Sequence, residues 1–285
     1  PLWSRGLGDV YKRQVTITSL DASKNEIELE VPYNPKRIAI LDLACLDIID
    51  ELGVGDRVVG MASTSIDYLE KYSNDASIKN LGTIKEADLE AVMECEPDII
   101  FIGGRLSKSY DALSEIAPVV YLATDTNEGL VNSVSKNAKT IASIFGMEDK
   151  VDSLMSDFGA RIDAIKKISS GKTALVGMTT SGSFNLLGND GRCSLIGVEA
   201  GFNNLTAAGS TSTHGNETSF ETVVKQNPDY VFVMDRDSAI STAGAKTAKE
   251  IVENELVKTT DAYKNNHIIY LCLLYTSPSP RDQRG

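Results

Sequence analysis

A stretch of seventeen residues occurs twice in this chain at one fixed offset. Residues 89–105, LEAVMECEPDIIFIGGR, align without a gap to residues 220–236, FETVVKQNPDYVFVMDR. Glu90, Val92, Pro97, Asp98, Phe101 and Arg105 recur as Glu221, Val223, Pro228, Asp229, Phe232 and Arg236, each pair 131 positions apart. Solenoid repeats are far shorter, roughly 20–50 residues. This offset is the size of a domain, so the chain reads as two similar lobes. In each copy a helical stretch stops at proline, an apolar strand follows, and an arginine lies just past the strand. Ligands of open α/β sheets bind beyond the C-terminal ends of the strands. Arg105 and Arg236 are therefore expected to reach one cleft from opposite walls. Lone arginines are more often solvated surface residues; the repeated placement is what points to function.

Both ends of the chain read as foreign and are set aside from fold reasoning. Residues 4–14, SRGLGDVYKRQ, and 272–282, CLLYTSPSPRD, are what opposite strands of one oligonucleotide encode when translated. Residues 1–14 and 272–285 are accordingly expected to be adapter-derived, with Val15–Leu271 native and both true termini missing. A signal peptide or lipid-bearing cysteine is expected to have stood upstream. Excluding the ends leaves 23 basic against 38 acidic residues, a formal charge of −15, compared with −12 for the whole chain.

Such acidity argues against a phosphate-binding surface, so no nucleic-acid partner is expected. No apolar run approaches the roughly 18–20 residues of a membrane span. Cys45, Cys95 and Cys193 lack C-x-x-C spacing and decide neither compartment nor metal.

The remaining sequence alternates in period. VTITSL and NEIELEV read as a hairpin; KRIAILD, DRVVGM, DIIFIG and VVYLA read as strands separated by helices, with one helix over IKEADLEAVMECEP. This βα alternation implies parallel sheets. From Thr126 the pattern turns helical. Leu130, Val134, Ala138, Ile141 and Phe145 mark one face, and Val151, Leu154, Phe158 and Ile162 the next, with a bend expected at Gly146. After Ser169, βα alternation resumes. The expected organisation is an N-terminal lobe over 15–125, a linking long helix over 126–169 and a truncated C-terminal lobe over 170–271. The fold class is α/β, two Rossmann-like βα lobes joined by one long α-helix.

The segments PKRIAILDLACLDIIDELGVGDRVVGM, LGTIKEADLEAVMECEPDIIFIGGR, STHGNETSFETVVKQNPDYVFVMDRD and YKNNHIIYL resemble the substrate-binding lipoproteins of ABC importers for ferric siderophores, above all those for catecholate and petrobactin-type chelates. The resemblance spans Val15 to Leu271 and implies the helical-backbone periplasmic-binding-protein type. It implies that Arg105, Arg192 and Arg236 hold an anionic ferric chelate. Fe(III) prefers oxygen donors, and guanidinium groups bind oxygen pairs through planar forks. It also implies that His214 either ligates iron left open by a tetradentate chelate, together with a tyrosine expected beyond Leu271, or only hydrogen-bonds the ligand. Glu90 and Glu221 are implied to dock arginines of a two-fold permease dimer, which works together with its ATPase; the alternative is that carboxylates simply favour helix starts. No tightly bound cofactor is implied, the protein is expected to be a monomer, and its place is extracytoplasmic, at the cell surface or in the periplasm. His267 is expected to be structural.

Other classes fit less well. The chain has no G-x-x-x-x-G-K-[ST], H-E-x-x-H or G-x-S-x-G, so a metal-dependent α/β enzyme lacks a recognisable centre. Two histidines are few for a site holding bare zinc or manganese. A binder of haem or a corrinoid remains the alternative, although three arginines suit a more highly charged ligand.

Overall fold

The computed structural model describes residues 13–125, 129–191, 193–206, 215–236 and 246–272. Two compact units emerge. The first takes the described residues up to Ala123 together with Asn137–Val151; the second takes Thr124–Lys136 together with the described residues from Asp152 onward.

The first unit opens on the hairpin β1 (Gln14–Leu20) and β2 (Glu26–Pro32), paired antiparallel. Its turn is held by Asp21, whose Oδ1 accepts from Ser23 N and Asn25 N at 2.8 Å each. Pairing begins at Gln14, one residue ahead of the expected native start. Strands β3 (Ile38–Ile40), β4 (Val58–Met61), β5 (Lys79–Asn80), β6 (Ile99–Ile102) and β7 (Val119–Tyr121) form a parallel sheet of order β5-β4-β3-β6-β7. Every residue of β3, β6 and β7 is buried. Burial on both faces is why these strands read as unbroken apolar runs.

The second unit contains β8 (Thr173–Thr180), β9 (Ser183–Leu186), β10 (Asn203–Asn204), β11 (Asn216–Glu217), β12 (Tyr230–Asp235) and β13 (Ile268–Cys272). The sheet runs β11-β9-β8-β12-β13, with β10 also on β8. This sheet is not the all-parallel one expected: β9 returns antiparallel along β8, and β11 pairs antiparallel to β9. The cause is the two-residue turn Ser181–Gly182, with φ of 52° and 79°. Positive φ at both positions gives the turn twist that tight hairpins favour.

The helical region comprises Leu130–Phe145 and Glu148–Ser169. It divides where the bend was expected. Gly146 has φ 67°, and a Cβ there would meet the Tyr33 hydroxyl. Of the apolar faces read from the sequence, Val134, Ala138, Ile141, Phe145, Val151, Phe158 and Ile162 are buried, and Leu130 and Leu154 are half-buried.

The two copies of the repeat fold alike. Asp88 caps the helix Leu89–Glu94 by accepting from Ala91 N, and Ser219 caps Phe220–Gln226 by accepting from Thr222 N. The first helix is thus much shorter than the expected 84–97. Asp88 starts it late, because residues 82–87 close a separate turn through the bridge Gly82–Ala87. Glu96 (φ 43°) and Asn227 (φ 39°) are both left-handed and lead into Pro97 and Pro228. The left-handed residue ends the helix and the proline prevents its resumption. Asp98 and Asp229 then latch onto the central strand of their own sheet. Asp98 Oδ2 accepts from Lys36 N (2.8 Å) and Arg37 N (3.1 Å), just before β3. Asp229 Oδ2 accepts from Thr173 N (2.8 Å), the first residue of β8. His267 is structural, as expected: its ring stacks on Tyr230 at 4.2 Å and its Nδ1 lies 3.0 Å from Asp229 O.

Candidate ligand-binding site

Arg105 and Arg236 stand at matching places in their units. Arg105 follows β6 inside the 3-10 turn Gly104–Ser109 and is exposed. Arg236 follows β12 directly and is half-buried, donating from Nη1 to Thr180 Oγ1 at 3.1 Å. Thr180 is the last residue of β8, which pairs with β12. Each arginine therefore lies at the C-terminal end of a strand next to the central strand, where open parallel sheets present ligand-binding groups.

The approach to Arg105 is built from backbone and one carboxylate. Asp42 follows β3 and caps the helix Leu43–Leu52, its Oδ1 accepting from Cys45 N at 3.0 Å. A Cβ on Gly103 would lie 2.1 Å from Asp42 Oδ2, so the backbone passes the carboxylate where only glycine fits. Burial pushes the Asp42 carboxyl above its usual range, while the Cys45 N–H and, more weakly, the Arg105 charge pull it down. The same burial, reinforced by Asp42, raises the Cys45 thiol well above its ordinary value, leaving a neutral apolar side chain. Beneath Gly104 lies the fully buried Tyr121, whose hydroxyl is 3.5 Å from where a Gly104 Cβ would stand. Asp42, Gly103 and Tyr121 were not among the candidates read from sequence. Only the Gly103–Gly104 doublet carried a signal for close backbone approach.

Arg192 and His214 lie outside the described residues, and the tyrosine expected beyond Leu271 has no described counterpart. The flanks of Arg192 are well held. Buried Asn204 donates from Nδ2 to Leu187 O (3.0 Å) and to Asn189 Oδ1 (3.1 Å), tying down the loop that leads to Gly191. Among the described residues no group of three or more His, Cys, Asp or Glu side chains could hold a metal ion.

Glu90 and Glu221 are both the second residue of their helices, and both are exposed. The Glu221 carboxyl is lowered by its own backbone N–H and by the Ser219 hydroxyl. No helix among the described residues is long and apolar enough to cross a membrane.

Each of the two similar α/β units thus carries one arginine past the end of a strand next to its central strand. The chain belongs to the periplasmic binding protein family, which it matches over residues 38–272. It is 38% identical over 270 residues to the petrobactin-binding protein YclQ of Bacillus subtilis (strain 168), covering 92% of this chain and 82% of that protein. The crystal structure of YclQ superposes with a TM-score of 0.85 at 35% identity, over 96% of this chain and 95% of that one. The catecholate-siderophore binding protein VctP of Vibrio cholerae superposes with a TM-score of 0.84 at 28% identity, over 95% and 97%. The ferric-anguibactin-binding protein FatB of Vibrio anguillarum (strain ATCC 68554 / 775) is 26% identical over 247 residues, 85% of this chain and 76% of that one.

Proposed function

We propose that this protein is the extracytoplasmic receptor of an ABC importer and captures an anionic ferric catecholate siderophore of the petrobactin type. One observation carries the reading: Arg105 and Arg236, 131 residues apart, occupy the same station past equivalent strands. The likeness to petrobactin-binding YclQ supports it. Guanidinium groups remain charged at all physiological pH and present paired donors to the oxygens of an iron-bound catecholate. Arg192 contributes the third such group. His214 approaches the iron when a tetradentate chelate leaves coordination positions open. The ferric chelate is cargo, with no resident cofactor and no chemical step. Glu90 and Glu221 meet the permease, one from each unit, and a monomer held near the membrane by an N-terminal lipid suffices for delivery. The expected lobe boundaries, 15–125 and 170–271 around the helical region, and the adapter origin of 1–14 and 272–285 belong to the same reading.

The test is a titration of the protein with ferric petrobactin and with an uncharged ferric hydroxamate, followed by visible absorption of the chelate. Saturable binding of the first and none of the second is expected. Equal binding of both would refute the charge argument, and preference for haem or a corrinoid would move the protein to that alternative.

A further inference from the structure

The surface beside Glu90 differs between the two copies of the repeat in a way that its sequence identities conceal. In the first unit a groove of about 570 Å³ opens between the helices Leu89–Glu94 and Tyr110–Ser114. Its apolar lining includes Leu89, Met93 and Ile116, and its polar lining is Glu96 and Glu115. Met93 is 62% exposed and Leu89 39%, high values for large apolar side chains on neighbouring turns.

In the second unit the corresponding positions are bridged. The counterpart of Glu96 is Asn227, which donates from Nδ2 to Asp261 Oδ2 (2.8 Å) and accepts from Asp261 N (2.9 Å). Strand pairing identifies the counterpart of Asp261. Ile100 faces Val119 as Val231 faces Ile268, and seven residues before Val119 and Ile268 stand Ala112 and Asp261. The next residues, Leu113 and Ala262, are both fully buried, consistent with this register. The bridging pair Asn227–Asp261 is thus replaced in the first unit by Glu96 and Ala112, and an alanine has no side chain with which to span the gap. Lys264 likewise becomes Glu115, so the rim is acidic where the second unit carries a cation. Glu94, one turn away, is already occupied by an ion pair with Lys79. Among the described residues no cation pairs with the Glu96 or Glu115 side chain.

We infer that this groove receives a segment of the permease that carries an apolar side chain flanked by arginine or lysine. This rests on the proposal that Glu90, on the same helix as Leu89 and Met93, faces the permease. Apolar contact at the floor and charge complementarity at the rim would make the first unit the stronger foothold, with Glu221 in the second unit making only a charge contact. A second copy of this chain is a poor occupant, because a molecule with formal charge −12 would bring further carboxylates to an acidic rim.

The test uses the full chain labelled at its methionine methyl groups and three blocked peptides, Arg-Leu-Arg, Glu-Leu-Glu and Arg-Ser-Arg, as probes. The Met93 methyl resonance is expected to shift saturably with Arg-Leu-Arg alone and to lose that shift at high salt. The variant Glu96→Asn with Ala112→Asp transplants the bridge of the second unit. Asparagine tolerates the left-handed backbone at position 96, and position 112 is exposed, so the fold should be kept. That variant is expected to bind the ferric chelate normally and to lose the peptide shift. No shift with Arg-Leu-Arg, equal shifts with all three peptides, or an undiminished shift in the folded double variant would overturn the inference. So would a Met93 shift that tracks protein concentration without peptide, since that marks self-association. None of these outcomes depends on chelate binding or on transport, which judge the functional proposal separately.

Discussion

Asp229 and Thr173 grip one another through three hydrogen bonds: Thr173 N and Oγ1 donate to Asp229 Oδ2 at 2.8 and 2.9 Å, and Asp229 N donates to Thr173 Oγ1 at 3.0 Å. The clasp sets the start of β12 against the start of β8, and Lys172 Nζ adds an ion pair at 3.4 Å. The Thr173 N–H is the main cause of a carboxyl held below its usual range. A lowered folded-state value stabilises the fold above the ordinary carboxylate range, and that contribution is lost as pH falls through the lowered value. The Asp229 side chain is 38% exposed, which screens the interaction. Asp229→Ala is therefore expected to cost about 1–2 kcal/mol, the low end for hydrogen bonds to a charged group. Denaturant melts across the acid range should show the gap between wild type and variant narrowing as pH falls. A gap independent of pH would mean that the charge is irrelevant.

Gly103 and Gly104 should respond oppositely to one added methyl group. At Gly103 the new carbon would meet Asp42 Oδ2 at 2.1 Å, whereas at Gly104 its nearest neighbour is the Tyr121 hydroxyl at 3.5 Å, an ordinary contact. Gly103→Ala should destabilise by about 1–3 kcal/mol through overpacking. Gly104→Ala should stay within about 0.5 kcal/mol of wild type. Thermal unfolding of the two variants side by side measures the difference, and equal stabilities would contradict the tight passage beside Asp42.

The repeat made the plan of the two sheets legible, because Pro97–Asp98 and Pro228–Asp229 kept their identities. It hid as much as it revealed. The caps Asp88 and Ser219, and the left-handed residues Glu96 and Asn227, also stand 131 apart and do the same work. They differ in residue type, so counting identities passes over them. The strand β9 was missed although Ser181–Gly182 is a readable hairpin turn, because the surrounding βα alternation suggested a parallel sheet. Asp42 could not be found at all from spacing. It meets Gly103 across 61 positions only because β3 and β6 lie side by side.

Replacing Arg105 or Arg236 by Ala is expected to weaken binding of ferric petrobactin by about 1.5–3 kcal/mol each, as for a lost hydrogen bond to a charged partner. Arg192→Ala should do the same. Lysine at any of these positions should restore only part of the loss, since it keeps the charge and lacks the planar fork. Chelate absorbance titrations give the affinities. Full rescue by lysine would reduce the arginines to simple counter-charges.

His214→Ala should separate two kinds of ligand. A hexadentate chelate fills the six positions of iron and leaves none for the protein, so its affinity should change little. A tetradentate chelate leaves positions open, and its affinity should fall steeply, with a change in the visible charge-transfer band. Equal losses for both ligands would make His214 a hydrogen-bonding residue.

Glu90 and Glu221 provide the means to separate capture from delivery. Both are exposed near the starts of the helices that precede β6 and β12, whereas Arg105 and Arg236 follow those strands. Changing both glutamates to Ala or Arg should leave chelate binding in solution intact and abolish uptake by cells that lack their own receptor. Each single change should hurt less than the pair, because one unit remains anchored. If the groove beside Glu90 adds apolar contact, the first unit should tolerate loss of its glutamate better than the second. Docking driven by exposed charges should also weaken with ionic strength, over the ten-ångström scale set by screening at about 0.1 M salt. Helix-start chemistry alone would predict a different pattern, with transport untouched and only a small loss of helix stability. Normal uptake by the double arginine variant would therefore assign the repeated glutamates to folding and leave the permease contact to be sought elsewhere.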